Sequence, residues 1–141
     1  CRVTLHVGMG TFRPIKSQVL AEHQMHAEHG MVEESTAETI EQAKLAGGRI
    51  VAVGTTTVRL LESAVSEGVV TAWAGETDLF IHPPYQFQAI QGLLTNFHLP
   101  KSSLLVLVRT FGGDALIRRA YEEAIEQQYR FYSYGDAMVI L

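Results

Sequence analysis

Only one cysteine, Cys1, occurs in the 141 residues, so no disulfide can close within the chain and nothing marks an oxidising compartment. The longest apolar stretches, Leu104 to Val108 and Ala137 to Leu141, fall far short of the roughly twenty residues a bilayer-spanning helix needs. They read as core segments, and a cytoplasmic protein without a membrane partner is the expectation. Basic charge is also scarce: 11 Lys and Arg against 15 Asp and Glu give a formal net charge of -4. That balance argues against a dedicated nucleic-acid-binding domain, whose phosphate contacts need clustered cations, though a local patch can still touch RNA. No linker, internal repeat or low-complexity tract interrupts the sequence. No P-loop is present, because spaced glycines followed by Lys-Ser/Thr are missing. Gly8 and Gly10 supply only half of a dinucleotide fingerprint.

What remains is an ordinary globular composition, 47% apolar and 18% charged. A chain of this length has the size of one domain and can bury about two thirds of the surface it exposes when unfolded. Val3, Leu5 and Val7 alternate with polar residues, so a strand is expected almost at once. Cys1 stands where an initiator Met would, and the sequence reads as a piece of something longer. Gly8-Met9-Gly10 and Arg13-Pro14 predict a turn-rich stretch, and His23 to Val32 is ambiguous between helix and strand.

Ser35 and Glu38 have capping-box spacing, with Ala37, Ile40 and Ala43 at helical intervals and Gly47-Gly48 as the stop. Ile50 to Val53 predicts a strand ending at Gly54, and Thr55 to Thr57 open a second helix through Val58, Leu61 and Val65. Val69 to Trp73, Leu79 to Ile81, Gly92 to Phe97 and Ala137 to Leu141 read as further strands. Between the last two, Pro100, Ser102 and Ser103 begin an apolar segment. Asp114 is placed to cap a helix carrying Ile117, Ala120, Tyr121 and Ala124. Strands alternating with helices predict an α/β fold with a mixed, partly parallel sheet and flanking helices.

Several places are suited to chemistry. Gly54 and the three threonines after it lie where a strand turns into a helix, and helix N-termini hold anions; simple capping by one threonine is the alternative. His23, His26 and His29 recur every third residue. On a helix the outer two lie about 120° apart and on a strand they alternate faces, so no metal site is assigned. His98 follows a predicted strand end, a frequent position for site residues in α/β folds, although a structural histidine fits the same pattern. The run from Tyr129 to Asp136 gathers aromatics around one Arg and one Asp and reads either as core or as a base-stacking surface. Glu122, Glu123 and Glu126 read as the solvated face of a helix.

Five blocks, in order, carry a resemblance: VTLHVGMGTF at 3–12, H-x-M-H-x-E at 23–28, VGTTTVRLLE at 53–62, LLTNFHLPKSSLLVLV at 93–108 and YRFYSYGDAMVI at 129–140. The chain resembles the S-adenosylmethionine:tRNA ribosyltransferase-isomerase family of the queuosine pathway over essentially its whole length. Arg109 and Thr110 depart from the family, which has smaller residues there. The resemblance implies that 1–141 is the C-terminal part of a larger α/β domain, which in the family is interrupted by a β-barrel domain.

It also implies an enzyme that moves the ribosyl part of S-adenosylmethionine onto an aminomethyl-deazaguanine at the tRNA wobble position. Isomerisation there gives epoxyqueuosine and releases adenine and methionine. S-Adenosylmethionine is then a substrate and no true cofactor is implied; tRNA is the partner, and a monomer is expected. Such chemistry needs a base for the C-H beside the sulfonium and a donor for departing adenine. On the matching positions the resemblance implies His98 and His26 as proton-transfer groups and Glu62 and Asp136 as carboxylates near the cationic donor. Arg59 and Arg130 are implied as clamps, and Gly54, Thr55, Thr56 and Asn96 as substrate-binding residues. Two other readings stay open. A methyltransferase-like domain would use the same donor but lacks its glycine-rich first turn and ribose-binding acid. A noncatalytic folded module would depend on parts not in this chain.

Overall fold

The computed structural model describes residues 1–8, 14–17 and 19–141. Met9 to Arg13, within the predicted turn and the half fingerprint, lie outside the described residues. Among the described residues, eight strands form two three-stranded sheets and a hairpin, accompanied by four α-helices. In the first sheet β2 (Glu28–Val32) lies between β1 (Thr4–His6) and β6 (Trp73–Thr77), antiparallel to both. In the second, β7 (Gly92–Asn96) pairs in parallel with β3 (Val51–Val53) and antiparallel with β8 (Ala137–Ile140). The expected mixed sheet is therefore present, with its parallel character confined to the β3/β7 pair.

The ambiguous segment ending at Val32 resolves as strand β2, preceded by a single 3-10 turn at Leu20–Glu22. Along β2, Glu28, Gly30 and Val32 point inward while His29 and Met31 face out. Gly30 has no room for a side chain. A Cβ there would sit 2.6 Å from Leu5 Cδ1 and 2.7 Å from Leu60 Cδ1, so its absence lets helix α2 (Thr55–Ser63) lie against the sheet. Val58, Leu60 and Leu61 of that helix join Val32, Ala52, Ile81, Leu93, Leu107 and Val108 in one core. Full burial of each such aliphatic side chain contributes about 1.5–3 kcal/mol.

Three local expectations are corrected. Helix α1 (Glu34–Leu45) begins one residue before Ser35 and has Glu33 as its N-cap, without a side-chain cap bond, so the capping box does not form. Its backbone closes instead through Thr36 and Ala37 N-H groups donating to the Glu33 carbonyl. Val69 to Trp73 is split: Val69–Val70 (β5) forms a tight hairpin with Val65–Ser66 (β4), and Trp73 starts β6. Leu79 to Ile81 is not a strand. Thr77 Oγ1 accepts from the Leu79 N-H and the Leu79 carbonyl accepts from Arg59 Nε, so side chains satisfy groups that a ladder would otherwise pair.

The apolar segment that Pro100, Ser102 and Ser103 begin, left without a type in the sequence, is helix α3 (Ser103–Gly112), with Ser102 Oγ accepting from the Leu105 N-H at 3.1 Å. Helix α4 (Asp114–Glu126) has Gly113 as its N-cap. Asp114 is its first residue and pairs with Arg109 and Arg118, favourably placed at the positive end of the helix dipole. Among the described residues no helix is long and apolar enough to cross a membrane.

Candidate functional site

The carboxyl ends of β3 and β7 lie side by side in the parallel pair, and both continue directly into candidate site residues. Gly54, at φ 91° and ψ 143°, makes the turn from β3 into α2. No atom crowds it, so the requirement for glycine is the backbone conformation itself. Its N-H donates to the Leu94 carbonyl at 2.8 Å, which fixes the first turn of α2 against β7. The amides at that turn have no acceptor within the helix and carry its positive dipole end. Thr57 Oγ1 donates back to the Val53 carbonyl, while no side chain caps the helix.

These elements wall a cavity of about 470 Å³ lined by Val7, Val53, Gly54, Thr55, Thr56, Leu94, Thr95, Asn96, His98, Leu104, Tyr132 and Ala137. Two cavities of similar size exist elsewhere, one of about 470 Å³ beside β3 and the N-terminal residues and one of about 510 Å³ around Pro83 to Tyr85. The first of these combines apolar side chains with Arg2 and Arg49, and the second has Arg109 already engaged by Asp114. Of these three cavities, among the described residues, the one at the strand ends alone combines a helix N-terminus, hydroxyls, an amide and an imidazole, and it occupies the position where α/β sheets bind ligands.

His98 is 4% exposed, and its Nε2 lies 3.0 Å from Thr95 Oγ1. Its backbone N-H donates to the Tyr121 hydroxyl at 2.8 Å. Burial pushes the imidazole down to about 4, so it is neutral at physiological pH and presents one donor and one acceptor. Asn96 Nδ2 donates to the Tyr132 carbonyl, and the Tyr132 N-H donates to the Phe97 carbonyl at 2.7 Å. The segment after β7 and the loop before β8 are thereby tied together at the cavity wall.

The structure thus brings together Gly54, Thr55, Thr56, Asn96 and His98, and it places the other candidates elsewhere. His26 is exposed and lines a separate hollow with Pro14, Lys16, Glu22 and His23. The His23 imidazole is held below its ordinary range, first by burial and second by repulsion from His26. Among the described residues no three His, Cys, Asp or Glu side chains gather as metal ligands.

Glu62 is buried away from the cavity. Its carboxylate accepts from the Gln88 N-H at 3.0 Å, the Ala89 N-H at 3.0 Å and the Tyr85 hydroxyl at 3.2 Å, and so fastens the loop before β7. Burial, then the adjacent Glu62 charge, pushes the Tyr85 phenol well above its usual range. Arg59 forms a buried ion pair with Glu28, Nη1 to Oε2 at 2.7 Å, with side chains 3% and 1% exposed. That geometry makes it an internal strut rather than a clamp at the cavity. Arg130 and Asp136 pair with each other at the surface, and the Arg130 hydrogen bonds hold the Asp136 carboxyl below its ordinary range. They close the loop that carries Tyr132.

Sequence reasoning missed the Glu28–Arg59 strut and the wall residues Val7, Leu94, Leu104 and Ala137, and it left Tyr132 open between core and stacking surface. The strut had a signal. Glu28 shares the inward face of a strand with Gly30 and Val32, and Arg59 sits between Val58 and Leu60 in an otherwise apolar stretch. The Glu28 Oε1 also accepts from the Gly8 N-H at 2.9 Å, which sets the course of the chain just beyond Val7 at the cavity.

Residues 1–140 match the family described as Queuosine biosynthesis protein. The chain belongs to that family. Similar members of the queuosine biosynthesis family include the S-adenosylmethionine:tRNA ribosyltransferase-isomerases of Phenylobacterium zucineum and Bradyrhizobium diazoefficiens. The first is 57% identical over 140 residues, covering 99% of this chain and 39% of the relative. The second is 58% identical over 140 residues, covering 99% and 38%. The crystal structure of S-adenosylmethionine tRNA ribosyltransferase from Thermotoga maritima superposes with a TM-score of 0.76 at 47% identity. It covers 81% of this chain and 40% of that one. The chain therefore spans about two fifths of the length of the relatives it matches.

Proposed function

We propose that this chain forms the C-terminal part of the α/β domain of a cytoplasmic, monomeric S-adenosylmethionine:tRNA ribosyltransferase-isomerase and contributes one wall of its active site. The observation that carries this reading is the convergence of Gly54, Thr55, Thr56, Asn96 and His98 on one cavity in a chain of this family. In the reaction, the ribosyl carbons of S-adenosylmethionine become bonded to the aminomethyl nitrogen of the wobble deazaguanine, while adenine and methionine leave. Rearrangement of the transferred ring gives the epoxycyclopentanediol of epoxyqueuosine.

Each residue at the cavity supplies something this sequence of steps needs. The amides at the start of α2 and the Thr55 and Thr56 hydroxyls offer donors to the anionic end of the methionine part, aided by the helix dipole. Asn96 contributes an amide beside the cavity, and the apolar side chains of Val53, Leu94 and Leu104 exclude water from the sulfonium. His98 enters neutral, as a proton acceptor must. Its position against Thr95 fixes the ring while leaving the imidazole within the cavity wall. Arg130 and Asp136 act through the loop they close. Arg59 and Glu62 shape the α2 framework behind the site.

The test is to incubate a protein of the relatives' full length that carries this segment with S-adenosylmethionine and precursor-bearing tRNA, and to follow adenine by chromatography. Adenine release that is abolished by His98→Ala is the expected result. Release unaffected by that substitution removes His98 from the chemistry, and absence of release from the unaltered protein removes the function. The 141-residue chain run in parallel tests the alternative reading of a noncatalytic module, for which donor binding without turnover is expected.

A further inference from the structure

We propose that the Tyr132 ring is a stacking surface for the purine-type ring of a substrate at the strand-end cavity, a reading that rests on the ribosyl-transfer function proposed above. Tyr132 has φ 64°, a left-handed conformation uncommon for any residue with a Cβ and costly for a bulky one. The surrounding structure holds it there at both backbone groups. Its N-H donates to the Phe97 carbonyl and its carbonyl accepts from Asn96 Nδ2. The base of the loop is closed by Asp136 Oδ2, which accepts from the Arg130 N-H at 2.6 Å and from Arg130 Nε at 3.2 Å.

The position would be less strained as glycine, yet a tyrosine stands there whose ring joins no aromatic cluster. Phe97, Tyr121 and Phe131 pack on one another at centroid distances of 5.1–5.6 Å. Among the described residues the Tyr132 ring and hydroxyl have no such contact and no hydrogen bond, and the residue is 37% exposed while lining the cavity beside Asn96 and His98. A strained backbone braced from both sides, at a partly exposed tyrosine that lines a cavity with apolar walls, suits a flat heterocycle laid against that ring. Two sources of that chemistry meet in the proposed reaction, the adenine of the donor and the deazaguanine of the tRNA.

Tyr132→Gly separates substrate contact from folding, because glycine removes the ring and relaxes the φ together. In a full-length protein carrying this segment, thermal stability of the variant is expected to be unchanged or raised. Loss of one stacked ring weakens binding by about 5- to 150-fold, and Tyr132→Phe retains it. Weaker binding of S-adenosylmethionine and of free adenine, with the KM for precursor tRNA unchanged, assigns the ring to adenine. A raised KM for tRNA with donor affinity unchanged assigns it to the deazaguanine. Donor affinity and tRNA KM both within about twofold of the unaltered protein, or a loss of stability parallel to the loss of binding, overturns the proposal. Unaltered protein that neither binds S-adenosylmethionine nor releases adenine overturns the function, and the stacking role falls with it.

Discussion

Removing Arg59 while keeping Glu28 tests the strut behind the site most directly. The two side chains are 3% and 1% exposed and meet at 2.7 Å, so neither water nor salt screens them appreciably. Arg59→Met retains the apolar stem within the core but takes the Arg59 counter-charge from a buried carboxylate whose other oxygen accepts from the Gly8 N-H. Breaking a buried pair in this way costs about 3–5 kcal/mol. For a chain of this size each kcal/mol moves Tm by roughly 3–5 °C, which predicts a fall of roughly 10–20 °C.

Replacing both partners, Glu28→Met with Arg59→Met, removes the buried carboxylate as well as its counter-charge. Part of the stability then returns, leaving about 1–3 kcal/mol each for the Gly8 N-H and the Leu79 carbonyl, which lose their side-chain partners. Thermal and urea unfolding followed by circular dichroism, in low and high salt, measures all three proteins. A double variant less stable than Arg59→Met, or a single variant within about 1 kcal/mol of the parent, would refute the claim that burial of this pair dominates its energetics.

Acid should reveal the buried His98. Its folded value of about 4 lies below the ordinary 6.5, so between those values the unfolded chain binds the proton and the folded one does not. The contribution is intact above pH 6.5 and is lost as pH falls toward 4, by up to roughly 3 kcal/mol. His98→Asn should flatten that part of the stability-pH curve, and an unchanged slope would count against the burial argument. Glu62→Gln keeps the volume but leaves one acceptor oxygen for a loop that uses two, at a cost of about 1–3 kcal/mol. Unfolding measurements should show that loss, with Tyr85 titrating closer to its ordinary range, and donor binding at full length should be weakened far less than by His98→Ala.

Local chemistry determined much of what could be read in advance. The periodic helices, the glycine turn after β3 and the final strand all follow from short-range propensity and patterning, which act within a turn or two of chain. The same patterns located Gly54, Thr55, Thr56 and His98, because each follows a strand end and strand ends are visible as breaks in apolar runs, whereas Asn96, inside β7, came from the resemblance alone. Family resemblance supplied the reaction, which no pattern of these residues would have specified.

Tertiary structure alone decided which candidates meet. Arg59 and Glu62 lie in the same helix as Thr55 and Thr56, yet the helix turns their side chains toward Glu28 and the Tyr85 to Ala89 loop. His26 and His98 belong to different parts of the fold and line different hollows. The Leu79 to Ile81 stretch has the composition of a strand but gives up its backbone groups to Thr77 and Arg59. Tyr132 reads in the sequence as either core or stacking surface, and it stands at the cavity wall because Asn96 and Phe97, more than thirty residues earlier, hold its backbone there. The physical reason is common to all four. Side-chain direction and partner choice depend on residues distant in the chain, and a one-dimensional pattern records the period of burial without recording what lies across it.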